Sequence, residues 1–143
     1  MKIIFLLPAL LITLSVHSQE KNEMEILWEQ TYGGKKNEMV NSIISSKSGA
    51  IIIGSKQPEN RYDVDLLVIK ISNTGEVIWE KTFGDKNLEN GYAGIEVENG
   101  EIYILGGITK APNRSDIIVY KLSAQGQLLW AKEYGGTNAE LAG

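Results

Sequence analysis

The 143-residue chain contains no cysteine, and its one histidine is His17. Without cysteine there is neither a disulfide framework nor a thiolate nucleophile, so packing alone must hold the fold. With no histidine after position 17, the remaining chain has no Ser-His-Asp or Cys-His nucleophile system and no zinc site built on those ligands. No glycine-rich loop opens a helix and no metal-ligand spacing occurs, so neither a cofactor nor a metal centre is expected. Long runs of one charge are missing, which excludes a tail-like charged segment. The longest apolar run, residues 3–16, is 14 residues broken by Pro8, Thr13 and Ser15. That is short of the roughly 18 to 20 needed to span a bilayer. Beyond it, no stretch of 11 or more residues has helical spacing.

What is present begins with an export signal. Lys2 supplies a positive start, the apolar run follows, and Val16-His17-Ser18 suits cleavage before Gln19. Residues 1–18 are therefore expected to be a signal peptide, and residues 19–143 a secreted region in the periplasm, at the cell surface or outside the cell. Losing Lys2 takes the formal charge from −4 to −5. A net negative chain favours solubility and disfavours nucleic acid, which needs basic patches to displace counterions. After cleavage no stable membrane insertion is expected.

Tryptophan marks a period. Trp28, Trp79 and Trp130 lie 51 residues apart and open the phrases WEQTYGG, WEKTFGD and WAKEYGG. Sliding residues 28–78 onto 79–129 without a gap gives 15 identities in 51, among them Asp65/Asp116, Lys70/Lys121 and Gly75/Gly126. A period of about 40 to 50 residues is the size of one four-stranded propeller blade. Strands are predicted at 40–46, 50–53, 65–71 and 77–83, and in the second period at 92–98, 101–105, 116–122 and 128–134. Residues 65–71 are apolar on both faces, as in a strand buried between neighbours. Residues 26–32 read as a further fourth strand preceding the first full period. The fold class is all-β, with propeller-type blades.

Four antiparallel strands per blade put the first and third connections on one face and the second and fourth on the other. The first and third are tight turns. The second (55–64 and 107–115) and fourth (33–39 and 84–91) read as long and polar, making their face the candidate interaction surface. Two full periods cannot close a ring, because four such blades need about 200 residues. The repeat region is thus expected to be incomplete, with closure supplied by further blades or by other copies of the chain.

The phrase ISNTGEVIWEKTFG and its echo LSAQGQLLWAKEYG resemble the tryptophan-docking repeat of quinoprotein-like β-propellers. Thr74-Gly75, Trp79 and Gly84 match that pattern, as do Gly126, Trp130 and Gly135. Including the stretch from Asp65 to Lys70, the pattern is similar to repeats of secreted bacterial surface proteins. The resemblance covers residues 26–143 and implies tryptophans that tie neighbouring blades together. Lys70 and Ser72-Asn73 depart from the family's usual small residue and aspartate. Nothing matches its quinone cofactor site, which uses vicinal cysteines and calcium ligands.

Recurrence sorts the candidate residues. Trp28, Trp79 and Trp130 occur in every period and read as packing residues, and Gly33, Gly84 and Gly135 as turns needing positive φ. Glu38, Glu89 and Glu140 each follow their tryptophan by ten residues and read as loop anchors accepting backbone hydrogen bonds. Asp65 and Asp116, at the start of the central strand, are treated alike. Residues specific to one period are the ligand-binding candidates: Arg61, Tyr62 and Asp63 on one connection, the pair Lys35-Lys36, and Tyr92. Arginine and tyrosine are enriched at binding hot spots, so a protein or glycan partner is expected. No catalytic residue is assigned. The expected function is a non-catalytic binding scaffold, and the alternative is a fragment of a propeller carbohydrate-active enzyme, a hydrolase or lyase.

Overall fold

A computed structural model describes residues 25–112 and 114–136, so the signal segment, Asn113 and residues 137–143 with Glu140 lie outside the described residues. The described chain is all-β, without a helix, in two four-stranded antiparallel sheets. The first sheet contains β1 (Glu38–Ser46), β2 (Gly49–Lys56), β3 (Asp65–Ser72) and β4 (Val77–Phe83) in sequence order. The second contains β5 (Leu88–Glu96), β6 (Ile102–Ala111), β7 (Arg114–Leu122) and β8 (Leu128–Tyr134), again in sequence order. No helix among the described residues is long and apolar enough to cross a membrane.

The sheets pack face to face. Ile51 and Ile53 of β2 and Leu66 and Val68 of β3 meet Ile102, Ile104, Ile118, Tyr120 and Leu122 of the second sheet. Each fully buried aliphatic side chain contributes about 1.5 to 3 kcal/mol over its exposed state. Strand β5 lies directly on the first sheet because Gly91 and Gly94 carry no side chain there. A Cβ at either would collide with Ile53, and at Gly91 with Leu66 as well. Polar links stitch the junction: Glu89 N–H donates to Val64 O at 2.8 Å, and Asn41 Nδ2 to Gly91 O at 2.8 Å. Lys70 and Glu96 form a 2.7 Å ion pair between the sheets, their side chains only 9% and 5% exposed.

The hairpin turns explain a register change inside the 51-residue period. β1 and β2 close on the two residues Lys47-Ser48, with Ser46 opposite Gly49. β5 and β6 close on three, with Val97 N–H donating to Glu101 O and Gly100 at φ 83°. The three-residue loop with a left-handed glycine is a standard hairpin solution. Its extra residue shifts β6 by one, so structural equivalence across β2 and β6 is 52 residues. Gly54 and Gly106 are then counterparts, and a Cβ on either would strike the backbone of the preceding bulged strand, at Met39 and Asn90 respectively.

Three expectations need correction. Residues 26–32 form no strand, because among the described residues no strand pairs with them. The second connection of the second sheet is not long: β6 runs on to Ala111 and β7 starts at Arg114, leaving only residues 112–113. β5 likewise begins at Leu88 rather than residue 92, which cuts its preceding connection to residues 84–87. Among the described residues, the long connection on that face is residues 57–64.

Candidate functional site

The three tryptophans come to different ends. Trp28 Nε1 donates to Asn73 O at 2.9 Å, and its ring lies 2.7 Å from where a Cβ of Gly75 would stand. Trp79 Nε1 donates to Ala124 O at 3.2 Å, with its ring 3.0 Å from a Cβ at Gly126. Both bonds span 45 residues. Gly75 and Gly126 hold φ of 80° and 76°, which glycine adopts without the strain a Cβ brings. Beside these, Tyr32 packs on Ile52, Leu67, Ile69 and Ile71 of the first sheet, and Phe83 lies 6.1 Å from the Tyr120 ring of the second. Trp130 packs edge-on against Tyr103 at 6.0 Å.

Only one of the three glycines that follow the tryptophans has the positive φ expected. Gly33 has φ 146°, while Gly84 and Gly135 are not left-handed. They are glycine for space: a Cβ on Gly84 would meet the Asp65 carboxylate, and one on Gly135 that of Asp116.

Of the period-specific residues, Lys36, Arg61 and Tyr62 line one recess, and Tyr92 stands apart from it. Arg61 spends its guanidinium within its own connection, donating to Asp63 Oδ2 at 3.2 Å and to both Asp65 oxygens at 2.7 Å. Burial raises the Asp65 pKa, and Arg61 pulls against that rise. Gln57 Nε2 donates to Arg61 O at 3.1 Å, pinning the base of the loop. Tyr62 is left 99% exposed. It borders two recesses: one of about 210 Å3 shared with Lys36 and Asn60, and one of about 490 Å3 with Met39, Val64 and Ser55. Lys35 is exposed and has Lys86 as its counterpart 51 residues on. Tyr92 stands apart from this loop, half-buried, its ring 3.0 Å from where a Cβ of Gly107 would be.

The recurrent glutamates differ most, and sequence reasoning treated them as one. Glu38 anchors its loop as expected: Gly34 N–H donates to both carboxylate oxygens, at 3.0 and 3.1 Å. It is also 3.4 Å from Lys56 Nζ, the residue opposite it in the ladder. Glu89 is 3% exposed and sits opposite Ile108 instead. Its Oε2 has no hydrogen-bond partner. Burial, then the charges of Asp85, Asp65 and Asp63, push the Glu89 carboxyl up to about 7; the Asp85 N–H offsets only part of that. Glu89 lines an open cleft of about 430 Å3 between β4 and the second sheet, with Phe83, Asp85, Ile108, Ile118 and Glu133. Lys110 is engaged with Glu133 and, at 3.8 Å, Asp116. The missed signal was the one-residue offset: a gapless comparison sets Lys56 against Gly107, whereas the ladder sets it against Ile108.

No group of three or more metal-ligating side chains among the described residues could hold a metal ion. No protein-family model matches the chain, and no curated protein matches it.

Proposed function

We propose that the protein is a secreted, non-catalytic binding module built of β-propeller-type blades, which takes a protein or glycan partner on the face carrying residues 57–64. The observation that carries the binding reading is Tyr62, fully exposed on a connection that Arg61 holds rigid through Asp63 and Asp65. A tyrosine presents a large amphipathic surface at small entropic cost, and a loop already ordered loses little more on binding. The recess beside it combines apolar Met39 and Val64 with polar Ser55 and Asn37, a mixture suited to a peptide or sugar face.

What supports the blade reading is the repeated docking of an indole on the next sheet's turn, Trp28 on residues 73–75 and Trp79 on residues 124–126. In a propeller the half-buried outer face of the second sheet, with Leu105, Ile117 and Val119, would receive a further blade.

The test is to screen the purified full chain against glycan and peptide arrays, and to repeat each positive with Tyr62→Ala and Lys36→Ala. The reading expects a ligand whose binding falls at least tenfold in Tyr62→Ala. A ligand bound equally by both variants, or no ligand from either array, would overturn it.

A further inference from the structure

In the first sheet, Lys56 stands opposite Glu38 and brings an ammonium to 3.4 Å from its carboxylate. The equivalent ladder position in the second sheet is Ile108, opposite Glu89. Lys56 is also held by Glu80 at 2.7 Å, and Ala131 stands at Glu80's place in the second sheet, so both the cation and its other partner are absent there. The carboxylate left behind is buried with an unpartnered oxygen. An unpaired buried carboxylate is costly, since an ionised group out of water needs a compensating charge or hydrogen bonds. The nearest cationic side chain on β6, Lys110, is already held by Glu133 and Asp116. The space beside Glu89 is also open, a cleft of about 430 Å3 whose wall is Phe83, Ile108 and Ile118 and whose rim carries Asp85 and Glu133.

We propose that this cleft is a binding site for a primary alkylammonium group, such as a lysine side chain of a partner, whose nitrogen takes beside Glu89 the place that Lys56 Nζ takes beside Glu38. The apolar wall receives the alkyl stem, since lysine methylenes pack on apolar surface while the charge stays at a polar end. Asp85 supplies a second negative charge at the mouth. This site is separate from Tyr62 and does not depend on that residue binding anything.

The experiment is an amide-resolved NMR titration of the full chain with n-butylammonium chloride at constant ionic strength, with n-butanol as the uncharged comparator. Saturable shifts are expected at residues 84–89 and at Ile108, with n-butanol at least tenfold weaker. Glu89→Gln should abolish them. So should Ile108→Lys, which restores from within the cation the first sheet already has. Lys56→Ile should create a second saturable response, centred on Glu38. Equal responses to the alcohol and the ammonium, or an undiminished response in Ile108→Lys, would overturn the proposal. So would a saturable response of the same amides to calcium chloride with none to n-butylammonium, which would make the site one for a metal ion. Should Glu89→Gln fail to fold, Ile108→Lys alone decides.

Discussion

The two sheets share strand order, turn glycines and a tryptophan at the same place, yet they distribute charge differently. In the first sheet the polar groups close on one another: Glu38 with Gly34 and Lys56, Asp65 with Arg61, Lys70 with Glu96 across the junction. In the second the corresponding groups are left partly open. Glu89 Oε2 and Asp116 Oδ1, on its strands, have no partner, whereas the first sheet's unpartnered oxygen among the described residues, Asp63 Oδ1, lies on a connection; Lys121 pairs with Glu101 near the surface at 2.9 Å. Arg61 and Lys56 have Pro112 and Ile108 in their places, so two cations present in one sheet are absent from the other. The apolar framework repeats because every sheet must bury the same two faces. Charge pairing is free to differ, and this is where one sheet departs from its twin.

The strongest way to break the comparison is at the junction. Glu96→Ala leaves Lys70 buried without its counter-charge and should cost about 3 to 5 kcal/mol in a urea melt. The analogous Glu101→Ala beside Lys121 is nearer the solvent, where screening weakens the pair, and should cost clearly less. Equal losses would show that the two lysines are not in different environments. The wild-type junction pair also carries an acid signature. Burial pushes Glu96 up, but hydrogen bonds from Lys70, Ser46 and the Lys47 N–H outweigh it and hold the carboxyl below the usual glutamate range. A folded pKa that is lowered gives stability present above the unfolded value, and it is lost as pH falls through the lowered one.

Next in size is the docking of Trp79. Trp79→Ala removes a half-buried indole and the bond to Ala124 O, and should lose about 2 to 4 kcal/mol. Trp28, 44% exposed, makes the same bond from a segment with no ladder, so Trp28→Ala should lose less than Trp79→Ala. Paired melting curves rank the two, and a larger loss at Trp28 would reverse that order.

The glutamate pair gives opposite signs. Glu38→Gln should destabilise by about 1 kcal/mol, because the bifurcated bond from the Gly34 N–H and the Lys56 contact lose their charged acceptor. Glu89 has a raised folded pKa, so it holds its proton more tightly in the folded chain. Its contribution is fully present below the unfolded glutamate pKa and is lost as pH rises through about 7. Glu89→Gln should therefore be more stable than wild type at pH 8 and nearly equal at pH 4, as read by denaturant midpoints. The smallest effect belongs to Tyr62→Ala, whose side chain packs on little: a stability change within about 0.5 kcal/mol.

Much of this architecture is legible in the residues. Val77–Phe83 and Leu128–Tyr134 have the bounds their alternation predicts, and β3 is apolar on both faces, one meeting the second sheet and the other packed by Tyr32. Residues 26–32 read as a strand from the same alternation, but a strand also needs a ladder partner, which local pattern does not reveal. Residues 107–111 read as part of a long polar connection, yet pairing with β7 carries the strand through them. The site was less legible. Arginine and tyrosine on one connection suggested joint recognition; both line one recess, but the ion pairs of Arg61 with Asp63 and Asp65 were not legible from their spacing. The contrast between Glu38 and Glu89 depends on a cross-strand neighbour, and one added turn residue moved that neighbour out of gapless register.

The central claim is that Glu89 lacks the cation its counterpart has. The most direct measurement is a carbon-13 NMR titration of the Glu89 side-chain carboxyl in the wild-type chain and in Ile108→Lys. The account predicts a midpoint near 7 in wild type and a clear fall once the lysine is present. A wild-type midpoint in the ordinary glutamate range, or one that Ile108→Lys leaves unmoved, would contradict it.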